Sequence, residues 1–277
     1  MDTKIPKFVK WAGGKGQLLE QFEPLFPKKI NRYIEPFVGS GAVFFHIAQK
    51  HKPKEIFLSD INEELMTTYN TIKNDAERLI VELKQHKEYH MTKGKKYYLT
   101  IRATNPKELP ELERSARFIY LNKTCFNGLY RVNSKGQFNV PMGSYKNPDI
   151  IQEDRIRFVS DLLKDVSIKT MSFEKIVDFA KKDDFVYLDP PYYPLKKGSS
   201  FTTYTKNNFL EEEQKQLAKV FSQLDKKGCK IMQSNSDTKF IKDLYSNYNI
   251  HFVKATRMIN CNGDKRGKIN EVVITNY

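Results

Sequence analysis

The feature that most limits how this chain can fold is a glycine-containing turn that follows an apolar run and opens a helix-like segment. Residues 33–38 form the run, Gly39-Ser40-Gly41 form the turn, and residues 41–48 carry apolar side chains at helical spacing. A second apolar run over residues 56–59 ends at Asp60. Strand, helix and strand in this order are typical of a βαβ unit, so the segment predicts an α/β protein with a parallel sheet.

The same turn predicts a pocket for a nucleoside. Gly39 and Gly41 allow the backbone to turn tightly and to approach a ligand at the edge of a parallel sheet. Asp60 follows where a carboxylate can accept hydrogen bonds from the hydroxyls of a ribose. Phe44 occupies the place of the third glycine of a dinucleotide fingerprint, which favours a mononucleoside such as S-adenosylmethionine. An ordinary turn capped by Asp60 is the alternative.

Residues 10–15, Lys-Trp-Ala-Gly-Gly-Lys, invite comparison with a phosphate-binding loop. Val9 stands where such a loop has its first glycine, and Gly16 follows Lys15 in place of serine or threonine. The segment therefore gives no support for ATP binding. We expect Trp11 to close over the cofactor and Lys15 to pair with the cofactor's carboxylate, and a capped surface loop is the alternative.

The strongest chemical signal is Asp189-Pro190-Pro191-Tyr192, directly after the apolar run over residues 185–188. Two prolines remove backbone donors, so carbonyl groups at the strand end stay free to accept hydrogen bonds. Asp189 and the Pro190 carbonyl can accept both N–H bonds of the adenine amino group, while Tyr192 stacks on the base. Methyl transfer to that nitrogen needs no metal and no covalent nucleophile. An ordinary turn is the alternative.

The chain between these two motifs has a different pattern. Residues 62–124 have the pattern of long charged helices, and residues 129–140 predict a hairpin around a polar turn. We therefore predict one α/β domain made from residues 1–61 and 154–277, with an insertion at residues 62–153. The later strands are predicted at residues 185–188, 230–232, 250–254 and 271–275, and the helices between them at residues 211–224 and 240–248.

The charge of the chain favours a polyanionic partner. Lys and Arg outnumber Asp and Glu by 47 to 33, which gives a net charge of +14. Basic side chains neutralise phosphates and release counterions, so nucleic acid is one natural partner, and a basic metabolic enzyme is the alternative. The basic segment at residues 256–268 is expected to approach DNA as a mobile loop, or to be a plain exposed loop.

Apolar runs and cysteines argue against membrane and secreted classes. No stretch approaches 18 apolar residues, and residues 1–4 lack the apolar start of a secretory signal, so no membrane partner is expected. Cys125, Cys229 and Cys261 lie far apart in the sequence. That spacing predicts no disulfide and fits a cytoplasmic protein.

His86 and His90 have a spacing that allows both to contact one metal ion from a helix. A zinc protease motif has glutamate directly after the first histidine, and Lys87 stands there instead. The sequence therefore predicts no metal site.

Together, these motifs resemble the DNA adenine methylase (Dam) family, the D12 class of N6-adenine DNA methyltransferases. The resemblance implies an S-adenosylmethionine-dependent, Rossmann-like fold with a seven-stranded sheet. It also implies that residues 62–153 form a helical and β-hairpin target-recognition domain. The resemblance covers nearly the whole chain and includes the segments at residues 8–15, 35–41, 59–62, 127–131, 138–141, 189–192, 201–204 and 234–235.

The resemblance further implies a set of catalytic and cofactor-binding residues. It matches Ser172-Phe173 to the segment that packs on the adenine ring of the methyl donor. The catalytic residues are predicted to be Asp189, Pro190 and Tyr192. The predicted cofactor-binding residues are Trp11, Ala12, Gly13, Lys15, Glu35, Pro36, Phe37, Gly39, Ser40, Gly41, Asp60, Ile61, Ser172, Phe173 and Asp189.

Family members of this type commonly act on GATC. The resemblance implies that Phe126, accompanied by Asn127, enters the duplex as an aromatic wedge beside a flipped base. Arginine is a natural partner of guanine, and an apolar side chain of the thymine methyl group. Ser144 departs from the arginine often found at its place, and a solvated basic surface is the alternative for this hairpin. Lys10, Leu129, Arg131 and Pro141 match base-reading positions, and Lys123, Asn133, Asn139 and Lys146 match phosphate contacts.

The sequence therefore predicts an adenine-specific DNA methyltransferase that uses S-adenosylmethionine and binds double-stranded DNA. Methylation of cytosine N4 or of adenine in RNA stays open, because the amine chemistry is shared. An inactive DNA-binding regulator on the same fold is a further alternative, against which the intact Lys15, Asp60 and Asp189 argue. A restriction endonuclease acting on the same site is a candidate partner.

Overall fold

The computed structural model describes residues 5–133, 135–195, 209–256 and 268–277. Seven strands form one sheet in the order β3-β2-β1-β4-β5-β7-β6. This seven-stranded sheet with its helices confirms the predicted α/β fold class. The strands are β1 Arg32–Glu35, β2 Glu55–Asp60, β3 Val166–Thr170, β4 Phe185–Leu188, β5 Lys230–Ser236, β6 Asn249–Thr256 and β7 Lys268–Thr275.

The strand order places a switch point between β1 and β4. β1 pairs in parallel with β2 on one side and with β4 on the other. The connections that leave these two strands run in opposite directions along the sheet, which opens a crevice at their carboxyl ends. The glycine turn after β1 and Asp189 after β4 therefore lie at one edge of the sheet.

Both faces of the sheet are buried. Tyr33 and Ile34, which are neighbours in β1, belong to two different apolar clusters and so face opposite sides. Parallel strands that are buried on both faces carry continuous apolar runs. This explains why every residue of β4 is apolar or aromatic and buried, and why its bounds match the sequence prediction.

Helices surround the sheet and fill the segment between β2 and β3. Asn62 caps the first residues of α3, since its side-chain oxygen accepts from Leu65 N at 3.1 Å. Asp75 and Gly94 have non-helical backbone angles within this long helix. The helices are α1 Leu19–Phe22, α2 Ala42–Lys50, α3 Glu63–Ala103, α4 Glu111–Thr124, α5 Glu153–Leu163, α6 Ile176–Phe179, α7 Glu211–Lys226 and α8 Lys239–Leu244.

The described residues between β2 and β3 add no strand to the sheet. The hairpin predicted after α4 is present, with Asn139 N donating to the Arg131 carbonyl at 3.1 Å. Tyr98 and Phe118, from α3 and α4, are buried in the same apolar cluster as one face of the sheet. The segment therefore shares its core with the sheet, and the domain boundaries at residues 61 and 153 stay a prediction.

β1 ends at Glu35, before the predicted Val38, and β6 is longer than predicted at both ends. Three other strands differ from the sequence prediction in more than their bounds or by a larger extension. β3 is not predicted, because most of its side chains are exposed or half-buried and it has no apolar run. β5 continues past Met232 to Ser236. The sequence does not predict this extension, because the residues there are polar, but in the structure they are buried. β7 runs antiparallel to β5 and β6, so the sheet is mixed where a parallel one was predicted.

Some predicted features fall outside the described residues. These are the family segment at residues 201–204, Cys261 and nearly all of the basic segment at 256–268. The two described cysteines, Cys125 and Cys229, are buried free thiols. Within the described ranges, no helix is both long and apolar enough to span a membrane.

Candidate active site

An ion pair lies at the carboxyl edge of the sheet. Lys15 Nζ is 2.8 Å from Asp189 Oδ1 and donates to the Gly13 carbonyl at 2.6 Å. The side chains of Lys15 and Asp189 are only 6% and 20% exposed, so each charge compensates the other away from water. The sequence predicts that Lys15 pairs with a cofactor's carboxylate, whereas the structure places its ammonium group on Asp189.

Burial controls the protonation of Asp189. It raises the pKa of Asp189 to about 6, although Lys15 opposes this shift, and Glu271 adds to it. The carboxyl group is therefore ionised at neutral pH and able to accept hydrogen bonds, but it takes up a proton in mild acid.

Two buried amides hold the Asp-Pro-Pro-Tyr segment in place. Gln214 Nε2 donates to the Pro191 carbonyl at 2.9 Å, and Asn235 Oδ1 accepts from Tyr193 N at 3.2 Å. Asn235 Nδ2 also donates to Gln214 Oε1 at 3.0 Å. Gln214 is not predicted from the sequence. The clue that could have identified it is a glutamine on the apolar face of α7.

Tyr192 is fixed from two sides. Its ring centre lies 4.7 Å from Lys15 Nζ, and its hydroxyl donates to Glu271 Oε2 at 2.8 Å. Pro190, which directly follows Asp189 in the sequence, is buried. Glu271 is a second residue that sequence analysis misses, although a single carboxylate before the apolar run of β7 is a visible signal.

The glycine turn after β1 adopts a backbone that other residues rarely take. Gly39 has a φ of +47° and Gly41 a φ of +71°. A Cβ atom on Gly39 would lie 2.8 Å from Trp11 Cδ1, and one on Gly41 would lie 2.6 Å from the Tyr69 hydroxyl. Glycine is therefore required at both positions, and Trp11 packs directly against the turn.

Asp60 holds this turn from the end of β2. Its Oδ2 accepts from Gly39 N at 3.2 Å and its Oδ1 from Asn62 N at 3.0 Å. Burial raises the pKa of Asp60 to about 6, although these hydrogen bonds lower it. The carboxylate caps the turn, and its contact with a ribose stays a prediction.

Glu35 ends β1 and is 2% exposed. It accepts a hydrogen bond from the Tyr33 hydroxyl at 2.8 Å. Burial raises the pKa of Glu35 well above its usual range, the Tyr33 hydrogen bond opposes this shift, and Asp189 adds to it. The raised pKa favours the neutral form of Glu35, which reduces the negative charge near Asp189.

Three phenylalanines form an aromatic shelf, with Phe37 shortly after β1 and Phe173 shortly after β3. The rings of Phe37 and Phe173 stack at 5.3 Å, and Phe209 lies 6.1 and 5.9 Å from them. Ile61, next to Asp60 in sequence, is 62% exposed. Flat apolar faces beside a carboxylate can hold a purine and its ribose. Of the other predicted cofactor-binding residues, Ala12 and Ser172 are half-buried, Gly13 is exposed, and Pro36 and Ser40 are buried.

Residues 11–259 match the family described as D12 class N6 adenine-specific DNA methyltransferase. The chain belongs to this family. It is therefore an adenine-specific DNA methyltransferase, whose substrate is DNA and whose reaction needs a methyl donor.

Similar curated proteins agree with this assignment. The type II methyltransferase M.MjaIII of Methanocaldococcus jannaschii is 49% identical, over 99% of this chain and 100% of its own length. The type II methyltransferase M1.LlaDCHI of Lactococcus lactis subsp. cremoris is 45% identical, over 98% of this chain and 95% of its own. The DNA adenine methylase of Haemophilus influenzae is 37% identical, over 96% of this chain and 92% of its own.

In this methyltransferase the loop before α1 is joined to the predicted recognition hairpin. Asn122 Oδ1 accepts from Lys10 N at 2.7 Å, and Asn122 Nδ2 donates to the carbonyls of Lys10 and Gly128 at 2.8 and 3.0 Å. The Trp11 indole stacks on the Tyr130 ring at 5.7 Å. Trp11, which is predicted to contact the methyl donor, therefore packs against Tyr130, which lies between the predicted DNA-contacting residues Leu129 and Arg131 in the sequence.

Most of the predicted DNA-contacting residues lie on one accessible stretch around the hairpin. Phe126 is 51% exposed, which is unusual for a large aromatic side chain. Arg131 Nε donates to Asn139 Oδ1 at 2.7 Å, and Lys10 Nζ donates to the Tyr145 hydroxyl at 3.2 Å. Lys10, Phe126, Asn127, Arg131, Pro141 and Lys146 are exposed, and Leu129, Asn133 and Asn139 are half-buried.

Lys123 differs from the rest of this set. It is 7% exposed, its Nζ donates to Gln152 Oε1 at 2.9 Å, and burial lowers its pKa to about 8. A contact with a phosphate would require this buried ammonium group to become accessible. The sequence gives no sign of this burial, because Gln152 is 29 residues away.

Proposed function

We propose that this D12-class enzyme transfers the methyl group of S-adenosylmethionine to N6 of an adenine flipped out of double-stranded DNA, within the sequence GATC. The observation that carries the proposal is the buried Asp189 carboxylate. It lies at the carboxyl end of β4, is held by Lys15, and stands beside the glycine turn that follows the adjacent strand β1.

The residues around the glycine turn fit an adenosine that carries a charged side chain. The aromatic shelf offers flat apolar faces to the adenine ring, and Asp60 offers a carboxylate to the ribose at the end of β2. Gly39 has no Cβ atom, which permits a close approach of the backbone. When bound, S-adenosylmethionine supplies a methyl group on a positively charged sulfur.

The active-site residues act by positioning and electrostatics. The amino nitrogen of adenine is a weak nucleophile because its lone pair is delocalised into the ring. Asp189 and the Pro190 carbonyl accept its N–H bonds, which increases the electron density on the nitrogen. Lys15 fixes the orientation of Asp189, and Tyr192 stacks on the base.

An adenine inside a duplex cannot reach this carboxylate, so the base must leave the helix. Flipping costs a few kcal/mol, which contacts to the remaining DNA offset. The exposed ring of Phe126 can fill the space that the base leaves, and Asn127 beside it has a positive φ of 54° that turns the backbone sharply. Both residues begin the segment that leads into the hairpin.

The hairpin reads the bases that flank the adenine. An arginine fork matches guanine O6 and N7, and an apolar side chain matches the methyl group of thymine. Arg131 and Pro141 are exposed on the hairpin, Leu129 is half-buried beside them, and Lys10 joins them through Asn122. This set of one guanine reader and apolar thymine readers supports GATC.

The names of the relatives support two biological settings, one beside a restriction endonuclease and one as a DNA adenine methylase without such a partner. Those called type II methyltransferase favour a role beside a restriction endonuclease that cuts the same sequence. We propose this setting first, because those relatives share 49% and 45% of their residues with the chain, against 37% for the Haemophilus DNA adenine methylase.

The test is to incubate unmethylated plasmid with the protein and S-adenosylmethionine and to sequence the modified bases. We expect N6-methyladenine on both strands of GATC and on no other sequence. N4-methylcytosine would refute the adenine assignment, and N6-methyladenine in another sequence would refute GATC. A structured RNA assayed in parallel is expected to stay unmethylated, and absence of any transfer would support an inactive DNA-binding regulator.

A further inference from the structure

A second cluster of chemically active side chains lies away from the methyl-transfer site. Glu23 begins the short 3-10 turn Glu23–Leu25, His46 lies at the middle of α2, and His51 directly follows the helix. The glycine turn is at the opposite, N-terminal end of α2. The cluster therefore has no contact with Lys15 or Asp189.

The three side chains point their ligand atoms at one another. His46 Nε2 is 2.5 Å from Glu23 Oε2, and His51 Nε2 is 3.4 Å from Glu23 Oε1. All three ligand atoms lie within 4.8 Å of one another. A zinc ion lies about 2.0–2.2 Å from imidazole nitrogens and carboxylate oxygens, so small side-chain movements would bring all three into coordination.

His51 is only loosely held in this cluster. Its buried Nε2 atom lies 3.4 Å from Glu23 Oε1, which is longer than an ordinary hydrogen bond, so a closer ligand can replace that contact. The Phe26 ring lies 5.8 Å from the His46 ring and 5.7 Å from the His51 ring. This apolar wall excludes water from one side and leaves the Glu23 side, which is 28% exposed, open to a solvent ligand.

We propose that Glu23, His46 and His51 bind a divalent transition-metal ion of the zinc type, which links the turn before β1 to the end of α2. Two imidazoles and one carboxylate suit zinc and its neighbours in the first transition row better than magnesium or calcium, which prefer oxygen ligands alone. The role of the ion is structural, because the cluster lies apart from the residues that hold Asp189.

Lys50 provides the decisive comparison. Its Nζ lies 2.8 Å from Glu23 Oε1, and its side chain is 56% exposed, so it neutralises Glu23 and can swing into solvent when an ion binds. If the cluster were only an ion-pair network, Lys50 would be part of what holds it together. If the cluster binds metal, Lys50 competes with the ion.

The sequence predicts no metal site from the spacing of His86 and His90. In the structure these two imidazoles are used otherwise: His86 Nδ1 is 2.8 Å from the Tyr97 hydroxyl, and His90 Nδ1 is 3.0 Å from the Tyr120 hydroxyl. The proposed ligands come from two separate segments, with Glu23 23 residues before His46, so no spacing motif marks them.

The experiment uses protein without a histidine tag, treated with a chelator and titrated with Co²⁺ followed by visible absorption. We expect one Co²⁺ per chain, displaced by Zn²⁺, and a Zn²⁺-dependent rise of a few degrees in Tm. His51→Gln should lose the absorption band and the Tm rise, while the matched variant His86→Gln should keep both. Lys50→Met should bind Co²⁺ at least as tightly as the unchanged protein.

Three results would overturn the proposal: no Co²⁺ band, a band that persists in His51→Gln, or weaker binding in Lys50→Met. Circular dichroism shows whether His51→Gln is folded, and His46→Gln provides a second ligand variant if it is not. Methylation of plasmid DNA, measured with the chelator present, should equal that without it. This readout keeps the metal site independent of the proposed methyltransferase function.

Discussion

The carboxyl edge of the sheet and the recognition hairpin are built in different ways. At the sheet edge the reactive groups are buried and paired with one another, as Lys15 is with Asp189 and Tyr192 with Glu271. On the hairpin the predicted readers Arg131 and Pro141 are exposed, and the Arg131 side chain donates to Asn139. The two regions touch through Trp11 and Tyr130.

This difference reflects what each region has to bind. A small cofactor and one base must be oriented closely, so their site is preformed and its charges are already compensated. A duplex supplies its own phosphates and base edges, so the hairpin can leave its polar groups open to water until DNA arrives. Substitutions at the sheet edge should therefore abolish chemistry, and substitutions on the hairpin should change which DNA is used.

The largest effect is expected from Asp189→Ala. Loss of the acceptor for the adenine amino group should lower kcat at least about 100-fold, while DNA affinity stays within a few fold. Methyl transfer from radiolabelled S-adenosylmethionine and gel-shift titration measure the two quantities. Appreciable turnover in this variant would remove Asp189 from its proposed role.

A control is needed, because Asp189→Ala also leaves the Lys15 ammonium buried without its partner, which costs about 3 kcal/mol. The double variant Lys15→Met/Asp189→Ala removes both charges. It should recover thermal stability without recovering methylation. Recovery of both would mean that the single variant fails through unfolding.

Arg131→Ala should have the next largest effect, and on the other side of the comparison. Loss of one arginine–guanine contact costs about 1–3 kcal/mol, so kcat/KM on GATC should fall about 5- to 150-fold, with less loss on sites that lack the guanine. Lys135→Ala, on the exposed turn of the same hairpin, is the matched control and should leave the preference unchanged. If Arg131→Ala and Lys135→Ala prefer GATC over sites without the guanine to the same degree, the hairpin is excluded as the reader.

Acid should inactivate the sheet edge without unfolding it. Because burial raises the pKa of Asp189 in the free protein to about 6, the carboxylate is protonated as the pH falls through 6, and kcat/KM at pH 5 should be about tenfold below its value at pH 7.

Acid lowers activity through Asp189, but the same protonation raises the stability of the fold. The folded pKa of Asp189 is raised to about 6, so the ionised carboxylate destabilises the folded protein. This destabilisation is relieved as the pH falls from 6 to the unfolded pKa of about 4. A pH–rate profile measured beside thermal melts separates the two effects. A flat profile down to pH 5 would contradict an ionised acceptor.

The smallest effect is expected where the two regions meet. Tyr130 OH donates to Glu64 Oε1 at 3.0 Å, and Glu64 also pairs with Arg117 at 3.0 Å. Tyr130→Phe should lower the free energy of unfolding by about 1 kcal/mol, measured in urea, with methylation unchanged because the ring still stacks on Trp11. Tyr130→Ala, which removes the stack, should weaken binding of the methyl donor, and equal behaviour of the two variants would exclude a role for the stack.

Local features of the sequence determined much of the fold. The apolar run over residues 185–188 defines β4, since a strand buried on both faces leaves its mark in consecutive residues. Gly39 and Gly41 mark the turn after β1 because backbone angles there exclude other residues. The edge strand β3 and the antiparallel direction of β7 were not predictable in this way, because exposure and pairing direction depend on neighbouring strands.

Only the tertiary structure decided which side chains meet. Lys15 and Asp189 are 174 residues apart in sequence, and nothing in either motif indicates that the ammonium lies on the carboxylate. The burial of Lys123 against Gln152 and the convergence of Glu23 with His46 and His51 also depend on residues that are distant in the sequence. Periodicity and turn chemistry act over a few residues and can be recognised in a sequence, whereas the pairing of distant charges depends on how the whole chain closes around its core.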